Sequence, residues 1–277
     1  NGGRGRIHRD DGYAGLMAQI HPSAVIEEGA QIGPDCVIGP FCVVGPQVVL
    51  GARVTLKSHV VVTGDTHIGD DTEIYAFAVI GEIPQDLKFD GENTTLRIGA
   101  RNRIREHVTI NTGTAGGGGQ TRIGDDGLFM AGCHVAHDVQ IGDRVIVVNS
   151  SAVAGHCIIE DDVIIGGLCG VHQFVRIGRG AIIGAVTMVT KDVLPHGLVQ
   201  GPRGVLDGLN LVGLKRKGVG RADITALRAA FQMLKDGEGT FQDRANRLSD
   251  ESDSPYVQQM VAFILGDTDR NILTPGG

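Results

Sequence analysis

Aliphatic side chains recur at every sixth position along most of this chain. From Ile20 the series runs Ile26, Ile32, Ile38, Val44, Leu50, Leu56, Val62, Ile68, Ile74 and Ile80. It resumes at Ile98, Ile104 and Ile110. It starts again at Ile123 and passes through Phe129, Val135, Ile141, Val147, Val153, Ile159, Ile165, Val171, Ile177 and Ile183 to Val189. No member of these series is polar, and Gly often follows directly, as after Ile32, Ile38, Ile68 and Ile98. A helix repeats at 3.6 residues and a strand at 2, so neither fits as a long element. Period six predicts short strands alternating with tight turns, with one aliphatic side chain per hexad pointing inward. Three hexads close one coil of a triangular prism, so a rung holds roughly 18 residues, and rungs stack at about 4.8 Å, the spacing of paired strands. The predicted class is mainly β, a parallel β-helix of hexapeptide repeats.

Two stretches break the pattern. Residues 81–97 (GEIPQDLKFDGENTTLR) lack it without losing the phase, and residues 111–122 (NTGTAGGGGQTR) shift the frame by one. Both read as loops thrown out from the prism, and loops on a rigid scaffold are where sites collect. After Val189 the hexads stop. Ile224, Leu227, Phe231 and Leu234 then mark the apolar face of a helix that Gly237 ends. A second helix is expected from Ser254-Pro255, with a Ser N-cap and Pro in the first turn. The expected organisation is a tail over 1–16, with Met17 as a candidate native start, a β-helix over 17–202, and a small α-helical C-terminal domain over 203–277. The helical part would cover a prism end that otherwise exposes its core and an open edge.

Composition sharpens this picture. Aromatic residues make up 4% and Trp is absent, while 43 residues are Gly. The core must be aliphatic, with many turns that Gly makes at low cost. The net charge of −7 argues against nucleic acid as a partner. No apolar run is long enough for a transmembrane segment, and the first residues carry no apolar signal-peptide core. The five cysteines (Cys36, Cys42, Cys133, Cys157, Cys169) are odd in number and form no CxxC pair. Reduced thiols and a cytoplasmic location are expected.

The candidate chemistry lies in LFMAGCHVAHDVQIGDR, residues 128–144. The hexad phase puts Val135 and Ile141 inward, so His134 and His137 face out. Rung arithmetic puts Gly155 and His156 one rung from His137, and His172 with Gln173 one rung further. Four histidines therefore gather on one flank. Three of them could hold zinc with water as a fourth ligand. Alternatively one could act as a general base, steadied by Asp138, with the Gly155 N–H receiving a developing oxyanion. The hexads alone leave both open.

The segments IGPFCVVGP (38–46), LKSHVVV (56–62), IGEIPQDLKF (80–89), NRIREHVTI (102–110), HVAHD (134–138), AGH (154–156), GGLCGVHQF (166–174), QG (200–201) and LKRKG (214–218) together resemble the acyl-[acyl carrier protein]–UDP-N-acetylglucosamine O-acyltransferase family. The resemblance implies a left-handed coil and a homotrimer with sites between subunits. It implies transfer of an R-3-hydroxyacyl chain from acyl carrier protein to the 3-hydroxyl of UDP-N-acetylglucosamine, the first step of lipid A synthesis, with no metal or cofactor. Carried over by motif, His137 is the general base, Asp138 its partner and Gly155 the oxyanion donor. His134, His156, His172 and Gln173 line the sugar and acyl contacts, and Asp86 and Lys88 reach the sugar or its acyl group. Asn210 and Arg216 look like nucleotide contacts. Lys215, Arg216 and Lys217 form the one dense basic run after the prism, which would offset repulsion between an acidic chain and an acidic carrier.

The chain departs from the family pattern at four places. Val212 stands where Glu is usual, Lys217 where a second Arg is common, and NTGT (111–114) where HRGT is usual. Ala185 stands at the position where Gly ends the acyl groove of long-chain members, and its methyl group predicts a shorter chain. Two other classes compete. A gamma-class carbonic anhydrase would hold zinc on this same kind of fold, and a non-catalytic β-helix scaffold would need none of the histidines. The N-acyltransferase of the same pathway carries an extra N-terminal uridine-binding domain, for which hexads beginning at Ile20 leave no room.

Overall fold

The structure, a computed structural model, describes residues 17–275. The expected tail over 1–16 lies outside the described residues. Two-residue strands follow one another at hexad spacing and pair with the strand one coil later, as Gln19 with Val37 and Ile20 with Ile38. They assemble three sheets of 11, 9 and 8 strands, parallel except for the last strand of the largest, which form the faces of a triangular prism. The inward residues of the hexads fill its axis, and from Ile38 to Val189 nearly all are buried.

Most hexads share a further rule. The residue two before the inward aliphatic is also buried and is small: Cys36, Cys42, Val48, Val54, Ala78, Cys133, Ser151, Cys157 and Cys169. This is where all five cysteines sit, unpaired. Their thiols reach backbone carbonyls of the next turn, as Cys157 Sγ to His172 O at 3.1 Å. Burial pushes the Cys157 thiol up to about 12 and Cys133 up to about 11, so these are inert packing groups. The residue three before the inward aliphatic turns the corner in the left-handed region, including Asp71, Asp126, Asp138, His156 and Phe174. Asp tolerates this conformation better than most side chains.

Stacked corner residues form columns. One corner alternates sign, with Arg53 on Asp71, Arg101 on Asp126 and Arg144 on Asp162. Another stacks rings, Phe41 on His59 on Phe77 on His107, at 4.9 to 5.2 Å between centroids. The third carries Asp138, His156 and Phe174 and holds the candidate site.

The two predicted loops are shorter than the pattern suggests. Strands Val79–Glu82, Thr95–Ile98, Thr109–Asn111 and Gln120–Ile123 run into them, because backbone pairing such as Thr95 with Asp65 continues where the aliphatic signal has stopped. The loops proper are 83–94 and 112–119. The end of the prism is not purely helical either. Gly197–Gln200 and Val205–Leu209 form an antiparallel hairpin on the 11-stranded sheet. Four helices follow: α1 (Leu211–Arg216), α2 (Arg221–Asp236), α3 (Phe241–Glu251) and α4 (Pro255–Leu265). α2 ends at Gly237 and α4 starts from Ser254, where sequence places them. α1 and α3 carried too few periodic apolar residues to be read. The segment after α4 returns to the prism, where Leu273 N–H donates to Asp192 O at 2.8 Å. Buried Asp192 also takes Arg176 Nε at 2.7 Å and Thr268 Oγ1 at 2.6 Å.

Candidate active site

Hexad geometry puts Asp138 on a corner with a left-handed backbone, and His137 just before it on the outer surface. The Asp138 side chain is 1% exposed. His137 Nδ1 lies 2.8 Å from Asp138 Oδ2. Thr114 donates twice to the same carboxylate, N–H to Oδ1 at 2.9 Å and hydroxyl to Oδ2 at 2.6 Å. A carboxylate only accepts, so the His137 proton sits on Nδ1 and the Nε2 lone pair is left free. That is the tautomer a general base needs.

The loop 112–119 approaches this closely because it is glycine-rich. A Cβ on Gly117 would stand 2.1 Å from the Asp138 carboxyl carbon, so no side chain fits there. Gly155 meets the same restriction from the other side, since a Cβ there would lie 2.6 Å from His137 Cε1 and 2.8 Å from Nε2. Among the described residues the Gly155 N–H has no acceptor. A donor with nothing to bind beside a base with a free lone pair is the pairing that acyl transfer uses.

The neighbouring histidines are held in fixed roles. His134 Nδ1 lies 2.7 Å from Thr109 Oγ1. Burial, then the nearness of His137, pushes the His134 pKa down. His156 is also pushed down by burial, against the pull of Asp138. Its ring stacks flat on Phe174 at 4.5 Å and meets His137 edge-on at 5.0 Å. His172 Nδ1 lies 2.7 Å from Arg270 Nη2, and Arg270 Nε donates to Gln173 O at 3.1 Å.

His134, His137, Gly155, His172 and Gln173 line one open cavity of about 430 Å³, joined by Asn111 and Met188. Asp86, Lys88 and His156 line a second of about 390 Å³ with Thr114 and Phe174. Asn111 Nδ2 donates to Glu82 O and Ile83 O at the start of the loop 83–94. Three predicted positions lie elsewhere. Asn210 caps α1 through Gly213 N–H and donates to Gly180 O on a different corner. Arg216 is exposed at the end of α1, and Ala185 is exposed outside both cavities. The basic run is also smaller than it reads, because Lys217 Nζ is paired with Asp162 at 2.8 Å.

Sequence reasoning missed Thr114, Thr121, Phe174 and Arg270. Thr121 takes the Asp138 N–H at 2.8 Å. Phe174 was reachable by adding a rung to His156, whereas nothing local signals that Arg270 meets His172. As a metal site the cluster fits poorly. His137, Asp138 and His156 can bring one ligand atom each within 4.8 Å. However, Asp138 Oδ2 already accepts from the Thr114 hydroxyl and His137 Nδ1, so the carboxylate oxygen nearest both histidines is taken.

A family model described as UDP N-acetylglucosamine O-acyltransferase, domain 2, matches residues 192–273. One described as bacterial transferase hexapeptide (six repeats) matches residues 17–46 and 29–64. The acyl-[acyl-carrier-protein]–UDP-N-acetylglucosamine O-acyltransferase of Paracoccus denitrificans is 67% identical over 202 residues, 73% of this chain and 77% of its own length. That of Agrobacterium fabrum is 46% identical over 260 residues, 93% and 96% of the two chains. A crystal structure of a UDP-N-acetylglucosamine acyltransferase matches with a TM-score of 0.90 at 40% identity, over 94% of this chain and 100% of that one. The Francisella novicida UDP-N-acetylglucosamine acyltransferase matches with a TM-score of 0.89 at 33% identity, over 92% and 94%.

Fold and histidine corner together define a hexapeptide-repeat transferase, a left-handed β-helix with a small helical C-terminal part. Within that class, the chain belongs to the acyl-[acyl-carrier-protein]–UDP-N-acetylglucosamine O-acyltransferase family.

Proposed function

We propose that this chain transfers an R-3-hydroxyacyl group from acyl carrier protein to the 3-hydroxyl of UDP-N-acetylglucosamine, the first step of lipid A biosynthesis. The observation that carries the reading is the oriented His137–Asp138 pair beside the unbonded N–H of Gly155. His137 Nε2 takes the sugar hydroxyl proton as that oxygen attacks the thioester carbonyl. The carbonyl electrons move onto oxygen, where the Gly155 N–H holds them. As the carbonyl re-forms, the C–S bond breaks, and the carrier thiolate takes the proton back from His137. Asp138 keeps the imidazolium in place throughout. No metal or cofactor enters these steps.

His134, His156, His172 and Gln173 line the walls that sugar and acyl group would meet, and Asp86 and Lys88 face His156 from the loop over it. Asn210 and Arg216 sit too far round the prism to serve the same chain's cavity, so their proposed contact with the nucleotide needs a neighbouring copy. An exposed column of Phe41, Phe77, Leu168 and Val186 along one corner supports such packing, in a homotrimer. Lys215 and Arg216 remain for the acidic carrier. Among the described residues no helix is long and apolar enough to cross a membrane. Five buried unpaired thiols support a reducing compartment, the cytoplasm. The test is carrier-dependent formation of O-acylated UDP-N-acetylglucosamine by metal-free protein, with light scattering for the trimer. Absence of product from every hydroxyacyl carrier offered would contradict the reading.

A further inference from the structure

The C-terminal segment reaches the site through one side chain. Arg270 Nη2 lies 2.7 Å from His172 Nδ1, and Arg270 Nε donates to Gln173 O at 3.1 Å. One edge of the guanidinium thus spans the step from His172 to Gln173, a use of the fixed fork that only Arg has. The chain is pinned on both sides of Arg270. Before it, the Thr268 hydroxyl donates to Asp192 Oδ2 at 2.6 Å, and Arg270 N–H donates to Thr268 Oγ1 at 3.0 Å. After it, Asp192 N–H donates to Asn271 O at 2.9 Å and Leu273 N–H to Asp192 O at 2.8 Å. Asp192 is fully buried and is itself held by Arg176 Nε at 2.7 Å. Arg270 therefore stands on a fixed anchor. It does not line the cavity that holds His137, but His172 and Gln173 do.

A guanidinium offers N–H donors and no acceptor. At 2.7 Å from it, His172 Nδ1 must accept, so the ring proton sits on Nε2. The opposite tautomer would turn an Nδ1–H towards Gln173 O, a longer contact at 3.3 Å, and would set that proton against the Arg270 N–H. His137 is held the other way round, because Asp138 only accepts and so keeps the proton on Nδ1. We propose that Arg270 is a positioning residue that fixes His172 as a hydrogen-bond donor, so that one cavity holds two histidines in opposite tautomers, His137 to take a proton and His172 to bind a substrate oxygen. This rests on the acyl-transfer reading. His172 is exposed, so without Arg270 water would satisfy either ring nitrogen in either orientation. Part of the population would then turn a lone pair towards the substrate oxygen and repel it. Arg270 removes those states before substrate arrives. The partner is an oxygen acceptor, either a hydroxyl or phosphate oxygen of the sugar nucleotide or a carbonyl of the acyl donor.

Transfer kinetics of wild type, Arg270→Ala, His172→Ala and the double variant are measured with the sugar nucleotide and the acyl carrier varied in turn. Arg270→Ala is expected to raise KM for one substrate by about tenfold, the scale of one hydrogen bond lost, with kcat changed less. The substrate whose KM moves is the owner of the oxygen. In the His172→Ala background the same substitution should change that KM by no more than about twofold, because Arg270 acts through the ring. A merely structural role would weaken both backgrounds alike. 15N NMR of histidine-labelled protein, assigned with His172→Ala and His137→Ala, reads the tautomers directly. It should show Nε2–H for His172 and Nδ1–H for His137. Wild-type KM values in Arg270→Ala, equal losses in the two backgrounds, or an Nδ1–H on His172 would overturn the proposal. Absence of transfer by wild type with every donor would overturn the acyl-transfer reading instead, while the NMR still decides the His172 tautomer.

Discussion

His137 Nδ1 lies 2.8 Å from Asp138 Oδ2, and the same oxygen accepts the Thr114 hydroxyl at 2.6 Å. The carboxylate thus has one orientation, and so has the imidazole. Replacing Asp138 by Asn puts an amide where only acceptors fit. An NH₂ facing Nδ1 favours the opposite tautomer and places the proton on Nε2. Asp138→Asn should lower kcat by at least about a hundredfold while KM changes little. Steady-state kinetics with the sugar nucleotide varied would check this, and a KM effect alone would speak for a binding role.

The backbone at Gly155 passes beneath the His137 ring. A methyl group there meets Cε1 at 2.6 Å and Nε2 at 2.8 Å, so the ring must move. Gly155→Ala should fold normally, since the turn does not require a positive φ at 155. Its kcat should fall by about a hundredfold or more, as expected when an oxyanion donor and a base lose alignment. Circular dichroism and transfer assays on the same preparation separate the two effects.

Two ion pairs of nearly equal length should differ widely in energy. Arg53 Nε and Asp71 are 2.6 Å apart at side-chain exposures of 51% and 42%. Arg176 Nε and Asp192 are 2.7 Å apart at 16% and 0%. Water screens the first pair, so Arg53→Ala should leave the unfolding midpoint almost unchanged. Arg176→Ala leaves a buried carboxylate without its cation and should cost about 3 to 5 kcal/mol. It also removes the bond from Nη2 to Phe263 O that ties α4 to the prism. Urea unfolding of both variants provides the comparison.

His196 gives the fold an acid sensitivity away from the site. Its side chain is buried against Tyr256 and reaches Gln259 Oε1 at 3.4 Å. Burial pushes its pKa down to about 4, helped by Lys217 and Arg179 and opposed by the Gln259 bond and Asp162. Between that value and the unfolded value of about 6.5, only the unfolded chain binds the proton. Stability should therefore fall as pH drops from about 6.5 towards 4, by up to about 3 kcal/mol, and change no further below that range from this group. In His196→Asn the slope of unfolding midpoint against pH should be shallower over this range. An unchanged slope would assign it to His134 and His156, which burial shifts the same way.

What the sequence made legible follows from the hexad. One aliphatic side chain every six residues determines which residues face inward, and 18 residues per rung predict that Gly155 lies beside His137. Both relations are periodic, so counting reaches them. The strands that enter the loops at Glu82, Thr95 and Gln120 were not legible, because backbone hydrogen bonds hold them and no aliphatic residue announces them. Thr114 was illegible as the Asp138 partner, since a glycine-rich loop has no phase. Arg270 lies 98 residues from His172 and reaches it only because Asp192 gathers the C-terminal segment onto the prism. The resemblance named Asn210 and Arg216 as nucleotide contacts, but within one chain Asn210 is a helix cap, which its place before LVGLKR could have suggested.

The most direct measurement is acyl transfer from hydroxyacyl carrier protein to UDP-N-acetylglucosamine by metal-free wild type and His137→Ala, assayed side by side with folding verified. Wild type should form the O-acylated sugar, and the variant should lose at least about a hundredfold in kcat/KM, the lower range for removal of a general base. Equal rates in the two proteins would contradict the assignment of His137 as the base.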